Sequence, residues 1–187
     1  MPLPRVTEIA HLLVERCLSP GGRAIDATVG NGHDTLFLAR RVGPEGRVDG
    51  FDLQIDAIER TRAKTMHLPQ VHLHHAGHER MDEWVRGPVV SVMFNLGYLP
   101  SGDHSIVTRP ASTLPALDSA ISLLGEGGIL TVVVYPAHEG GSEEADEVTR
   151  WFLDLPRDRF RVIHHGPLDA TARSKESPYL LAAWRGK

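Results

Sequence analysis

Asp26-Ala27-Thr28-Val29-Gly30-Asn31-Gly32-His33-Asp34-Thr35 is the stretch whose reading decides the fold. The run leading into it, Arg23 to Thr28, reads as a buried strand, and Asp34 to Arg41 reads as a helix. Gly30 and Gly32 carry no Cβ, so backbone N–H groups and a helix N-terminus can approach a ligand closely between them. About twenty residues on, Val48-Asp49-Gly50-Phe51-Asp52 is a second apolar run that ends in an acid. An acid at the end of the second strand of a βαβ unit can accept hydrogen bonds from ribose hydroxyls. Together the two features predict a site for a nucleoside cofactor.

The turn also discriminates between cofactors. A dinucleotide fingerprint asks for glycine or alanine at its last position, and counting from Gly30 that position is Thr35. Asp34, directly after the turn, would repel a pyrophosphate. An acidic lining suits a ligand with a cationic amine and no phosphate, a description that S-adenosylmethionine meets.

Outward from this unit the chain alternates between two periodicities. Val6 to Cys17 has apolar residues at helical spacing, and Ser19-Pro20-Gly21-Gly22 breaks it. After the first strand come a helix to about Val42, a strand Arg47 to Leu53 and a helix Gln54 to His67. Val71 to His75 is a short strand with Val71, Leu73 and His75 on one face; a short helical piece follows around Met81 to Val85. Pro88 to Asn95 and Gly128 to Tyr135 are nearly continuous apolar runs, typical of strands buried on both faces. Helices are expected over Ala111 to Leu124 and Ser142 to Leu155, the second with Glu143 and Glu144 in its first turn. Phe160 to His165 and Tyr179 to Arg185 read as a final antiparallel pair. The pattern predicts an α/β fold, a mostly parallel sheet with helices on both faces. No repeat or linker interrupts it, so residues 1–187 are expected to form one domain. Asp26, Gly30, Asp52, His78, Asn95, Pro136 and His138 all follow strand ends, where ligands sit in such sheets.

Composition narrows the class. Hydrophobic residues make up 41% and charged residues 24%, as in soluble globular proteins. No run approaches the roughly 20 apolar residues of a membrane span. Met1-Pro2-Leu3-Pro4-Arg5 lacks the apolar core of a signal peptide, and Cys17 has no partner for an internal disulfide, so a cytoplasmic protein is expected. Cys17 reads as a buried small hydrophobe. The formal net charge of −4 is low for a protein that grips nucleic acid. The balance is uneven: Glu126 to Glu147 holds six acids and no Lys or Arg, whereas basic residues prevail from Arg157 to Lys187. That excess reads equally well as a phosphate-facing patch or as a solvated surface.

Five strings carry a resemblance: DATVGNGHDT (26–35), GFDLQ (50–54), GHE (77–79), NLGYLPSGDH (95–104) and YPAHEGG (135–141). On them the chain resembles the class I S-adenosylmethionine-dependent methyltransferases. Within that class it is similar to the small family labelled rRNA methylases, one branch of which methylates 5-aminomethyl-2-thiouridine at the tRNA wobble position. One departure stands out: the first motif of the class has three glycines, and Thr28 occupies the first of these positions. The resemblance implies a Rossmann-like, seven-stranded sheet whose last strand is antiparallel, with S-adenosylmethionine as cofactor. It implies that Gly77 and His78 lie on the adenine side, Asp52 and Gln54 near the ribose, and Asn31, His33 and Asp34 near the methionine portion. Asp26, Gly30 and Gly32 belong to the same binding turn.

Asn95-Leu96-Gly97-Tyr98 is similar to the D/N-P-P-Y/F string of enzymes that methylate amino nitrogens, with Leu96-Gly97 in place of both prolines. The amide of Asn95, which would also face the cofactor's methyl group, can accept a hydrogen bond from an attacking amine; Tyr98 can stack on a base. Asp103, His104 and His138 lie on loops covering the same end of the sheet. They are candidates to receive the proton that an alkyl ammonium, with a pKa of about 10, must lose. His72 and His74 share a strand face without a partner ligand pair, so no metal is expected and both should face solvent. The resemblance implies tRNA as partner, reached through the chain's own loops, its last strands or a homodimer. rRNA, a small-molecule amine, or a non-catalytic cofactor-binding role are the alternatives.

Overall fold

The computed structural model describes residues 4–97, 99, 106–138, 140–167 and 177–186. Seven strands make one sheet: β1 Arg23–Asp26, β2 Arg47–Asp52, β3 Val71–His75, β4 Val89–Asn95, β5 Leu124–Val134, β6 Phe160–His165 and β7 Tyr179–Arg185. Their order is β3-β2-β1-β4-β5-β7-β6. The first five pair in parallel, and β7 is antiparallel to both β5 and β6. This is the expected mostly parallel sheet with an antiparallel last strand. The order reverses direction between β1 and β4, which opens a crevice beyond their carboxyl ends.

Helices α1 Val6–Glu15, α2 His33–Val42, α3 Ile55–Thr65, α4 Met81–Trp84, α5 Pro110–Leu123 and α6 Gly141–Asp154 cover both faces. Alternation along the central strands divides the core in two. Val92, Phe94, Leu130 and Val132 point to a layer with Leu117, Ala120, Val148 and Phe152. Met93, Ile129 and Val133 point the other way, to Ala10, Val14, Leu38 and Val42. Each large apolar side chain buried this way contributes about 1.5–3 kcal/mol. The sheet is therefore clamped between two dry layers, and its carboxyl edge is held still. Among the described residues, no helix is long and apolar enough to cross a membrane.

Several boundaries differ from the sequence expectation for identifiable reasons. β1 ends at Asp26, not Thr28, because the chain there splits its pairing. Ala27 N–H goes to Met93 O at 2.8 Å and Val29 N–H to Phe51 O at 3.0 Å, opening the turn between two strands. α1 stops at Glu15, short of Cys17, where Arg41 donates to Glu15 O and Leu18 O at 2.7 and 2.8 Å and satisfies the helix-end carbonyls. β5 begins at Leu124 rather than Gly128, since Leu124 already pairs with Val89 and the glycines that follow are extra residues of β5 before Ile129 pairs with Ser91. Cys17 is half-buried, its Sγ accepting Trp184 Nε1–H at 3.2 Å.

His74 does not face solvent as expected. α4 brings Trp84 over the outer face of β3, and the His74 ring lies 4.8 Å from Trp84 and 4.7 Å from Phe51. Its Nε2 is 2.9 Å from Asp49 Oδ1, and Arg47 holds the same carboxylate through two bonds of 2.7 Å. Burial works to raise the Asp49 carboxyl, but the bonds from His74 and Arg47 win and hold it below its ordinary value.

Glu144 also departs from the solvated first-turn acid that its helix position suggests. It is 1% exposed, with Thr108 and Thr113 donating their hydroxyls to it at 2.7 and 2.6 Å. Thr108 Oγ1 in turn accepts Gly97 N–H at 2.7 Å, so the buried acid ties α6 and α5 to the chain leaving β4. Glu144→Ala leaves a buried hydroxyl, Thr113, and a half-buried one, Thr108, without their acceptor, at a cost on the order of 1–3 kcal/mol. A melting temperature lower by roughly 5 °C is expected in a thermal scan; an unchanged one would show that water replaces the carboxylate without loss.

Candidate active site

The turn after β1 is built by glycine where glycine is required. Gly30 and Gly32 have φ of 50° and 76°, a region L side chains rarely adopt. A Cβ at Gly32 would also lie 2.5 Å from Thr61 Oγ1 on α3. Gly32 caps α2, and its own carbonyl takes Leu36 N–H at 3.0 Å. Asp52, at the end of β2, receives Gly30 N–H and Gln54 N–H at 2.8 Å each, locking two strand-end turns to one carboxylate. Burial nevertheless raises the Asp52 carboxyl above its ordinary value.

Asp26 sits beneath this turn and not on its ligand-facing wall, which corrects its assignment to cofactor contact. It is fully buried, accepting Thr28 N–H at 3.2 Å and the Thr35 hydroxyl at 2.5 Å. Burial, reinforced by the charge of Asp34, pushes its carboxyl up to about 7.

A cleft of about 460 Å³ opens above the turn, within the range for small-ligand sites. Gly30, Asn31, His33, Asp34, Asp52, Gln54, His78 and Asn95 line it, all of them expected from the sequence. Gly32 and Gly77 shape the backbone without lining it. His78 is buried, its Nδ1 donating to Ala27 O at 3.2 Å; burial lowers its pKa, so the ring is neutral and Nε2 is an acceptor. His138 lies outside the wall, packed beside Gly97 and Gly141: a Cβ at Gly141 would meet its ring at 2.9 Å. Tyr98, Asp103 and His104 lie outside the described residues.

The centre of the cleft is a cluster on Asp34. Its carboxylate receives Asn95 Nδ2–H and faces His11 Nε2 at 2.6 Å. Asn95 N–H goes to Thr28 Oγ1 at 2.7 Å, so the residue standing at the first glycine position fastens the end of β4 to the turn after β1. The Asn95 Oδ1 atom is shielded from water and, among the described residues, has no hydrogen-bond partner. His11 and Tyr135 complete the wall here and were not anticipated. His11 lies in an apolar-patterned helix 23 positions from its partner, and no local motif marks it. Tyr135 is raised by burial and then by the Asp34 charge.

Among the described residues, no group of three or more His, Cys, Asp or Glu could hold a metal ion. Among the described residues, the basic side chains of the C-terminal stretch do not reach the cleft. β6 runs parallel to β5, so Arg157, Arg159 and Arg161 at its start lie at the opposite edge of the sheet, and Arg185 donates to Leu124 O there. Arg173, Lys175 and Lys187 are outside the described residues.

The profile of the family described as "Putative rRNA methylase" matches residues 48–183. The chain belongs to this family. A chloroplastic tRNA (mnm(5)s(2)U34)-methyltransferase of Arabidopsis thaliana is 39% identical over 165 residues, 81% of this chain. The chain spans 60% of that protein's length. It spans 55% of a 2-phytyl-1,4-naphtoquinone methyltransferase of Thermosynechococcus vestitus, 28% identical over 73% of this chain. The crystal structure of a "putative rRNA-methylase" from Clostridium thermocellum has a TM-score of 0.93 at 39% identity, covering 99% of this chain and 100% of that one. SMU.1697c of Streptococcus mutans, solved in complex with SAH, has a TM-score of 0.87 at 33% identity over 98% and 99% of the two chains. The family and the fold are those of the class I methyltransferases, and the cofactor of that class is S-adenosylmethionine. The cleft fits it: Asp34 and Asp52 stand on its wall and, among the described residues, no lysine does.

The buried acid under the turn gives a pH signature. The folded-state pKa of Asp26, about 7, lies above its unfolded value near 3.8. Its contribution to stability is thus complete below about 3.8 and is lost as pH rises through about 7. Asp26→Asn cannot ionise, so its melting temperature relative to the unsubstituted protein should rise between about pH 5 and about pH 8. A difference independent of pH in paired thermal melts would mean that Asp26 is ionised throughout.

Proposed function

We propose that the protein transfers a methyl group from S-adenosylmethionine to an amine nitrogen of an RNA nucleoside, the amine of 5-aminomethyl-2-thiouridine at the tRNA wobble position. The observation that carries an amine acceptor is Asn95 on the cleft wall, whose buried Oδ1 has no hydrogen-bond partner among the described residues. An amide oxygen held by its own Nδ2–H on Asp34 can take one N–H of an incoming amine and so aim the nitrogen lone pair. The nucleoside itself is supported by the name of the Arabidopsis relative. The protein would act in the cytoplasm, where tRNA is at hand.

In this reading Asp52 accepts from the ribose hydroxyls, and neutral His78 offers Nε2 to the adenine side beside Gly77. Asn31, His33 and Asp34 surround the methionine portion. S-adenosylmethionine supplies a methyl group on a sulfonium, whose C–S bond breaks as the new N–C bond forms. Most of the rate then comes from alignment, since holding amine and methyl donor in line removes the entropy of their encounter. Tyr98, Asp103, His104 and His138 are assigned to the substrate side on their sequence positions.

A small-molecule amine is the second reading, favoured by the net charge of −4 and by the distance of Arg157, Arg159, Arg161 and Arg185 from the cleft. The two separate on salt: RNA binding weakens steeply with ionic strength, and binding of a small amine does not.

The test is transfer of labelled methyl from S-adenosylmethionine to bulk tRNA and rRNA, with nucleoside mass analysis. We expect label in tRNA as methylated 5-aminomethyl-2-thiouridine, and Asn95→Ala should cut turnover with cofactor affinity nearly intact. Label in neither RNA would move the assignment to a small amine. Asp52→Ala should weaken S-adenosylmethionine binding by at least ~10-fold in calorimetry, from loss of charge-assisted hydrogen bonds. Unchanged affinity would remove Asp52 from the cofactor site.

A further inference from the structure

We propose that His11 is the proton acceptor for the target amine, forming with Asp34 a general-base pair beside Asn95. The inference rests on the amine-methylating reading above. α1 and the residue that caps it contribute Arg5, Thr7 and His11 to the cleft wall, so His11 borders the same space as Asn95. Its orientation is fixed twice. The ring lies flat on Phe37, with centroids 3.8 Å apart and an interplanar angle of 2°. Its Nε2 faces Asp34 Oδ1 at 2.6 Å.

A carboxylate can only accept, so Nε2 carries the hydrogen and Nδ1 keeps a free lone pair. The other oxygen of Asp34 takes the Asn95 amide. One carboxylate thus orients both the base and the group that aims the amine. This division of labour is chemically apt: an alkyl ammonium has a pKa of about 10 and presents no lone pair near neutral pH. In the proposed step R–NH3+ and neutral imidazole become R–NH2 and imidazolium; no other atom moves. Asp34 stabilises the imidazolium, and the His11 side chain, 28% exposed, releases the proton to water.

Several charged groups face this pair. Asp34 approaches from α2 with Asp26 behind it, Arg5 stands at the start of α1, and Tyr135 closes the wall from the end of β5. Glu15, His33, Arg40 and Arg41 line the groove that continues from His11 between α1 and α2.

His11→Gln separates a base from a positioning group, because the amide still offers Asp34 an N–H but cannot take a proton. At saturating S-adenosylmethionine and tRNA, kcat near pH 7 should fall at least ~100-fold. Cofactor Kd and melting temperature should stay close to those of the unsubstituted enzyme. The deficit should shrink as pH approaches about 10, where the amine supplies its own lone pair. In the unsubstituted protein, 15N NMR should show His11 protonated at Nε2 and bare at Nδ1. Normal turnover of His11→Gln, a deficit equal at every pH, weakened cofactor binding as its only effect, or an Nδ1–H tautomer would each overturn the assignment. If the unsubstituted enzyme itself methylates no tRNA, the substrate reading fails and takes this one with it. A failure confined to His11→Gln or to the tautomer leaves that reading standing.

Discussion

Three carboxylates meet at the carboxyl edge of the sheet, and the site follows from what it takes to keep them there. Asp26, Asp34 and Asp52 are buried or nearly so, and like charges in a medium of low dielectric repel strongly. Each is held by two donors: Thr28 N–H and the Thr35 hydroxyl, Asn95 and His11, Gly30 N–H and Gln54 N–H. Donors alone do not neutralise the cluster. Burial and the Asp34 charge leave Asp26 as the member that keeps a proton up to about pH 7. A cation in the cleft would relieve the rest, and S-adenosylmethionine brings two positive centres. The same repulsion explains why a pyrophosphate cofactor is unsuited to a glycine turn that otherwise resembles a dinucleotide site.

Much of this could be read in the sequence. The continuous apolar runs of β4 and β5 marked central strands because a strand buried on both faces has no polar alternation to break it. The glycine turn and Asp52 were legible because their spacing is set by one local βαβ unit. Asp26 was misjudged for a related reason: an acid inside a ligand motif looks like a ligand contact, and only its depth under Thr35 shows it to be a strut. His11 could not be read, since its meaning lies wholly in a residue on another helix. His74 was likewise read as solvent-facing, and Glu144 only as an acid suited to a helix's first turn, because each was judged from its own element. Trp84 and Thr108, which cover them, arrive from elsewhere in the chain.

The departures from the motifs of the class have a common physical sense. In the D/N-P-P-Y/F string, prolines fix the backbone by their rings and offer no N–H. Leu96 and Gly97 replace them here, and both of the N–H groups thereby gained are used. Leu96 donates to Val133 O at 2.9 Å, and Gly97 donates to Thr108 Oγ1 at 2.7 Å, which leads on to buried Glu144. Gly97, at φ 131°, adopts a backbone that proline cannot. Thr28 does the same at the other side of the cleft, giving up a glycine's freedom for a hydroxyl that takes Asn95 N–H. Rigidity that the wider class draws from ring closure is drawn here from a chain of hydrogen bonds running from α6 through the β4 loop to the first turn. Asn95 stands in the middle of that chain, fixed through its backbone by Thr28 and through its side chain by Asp34, and its Oδ1 has no partner among the described residues.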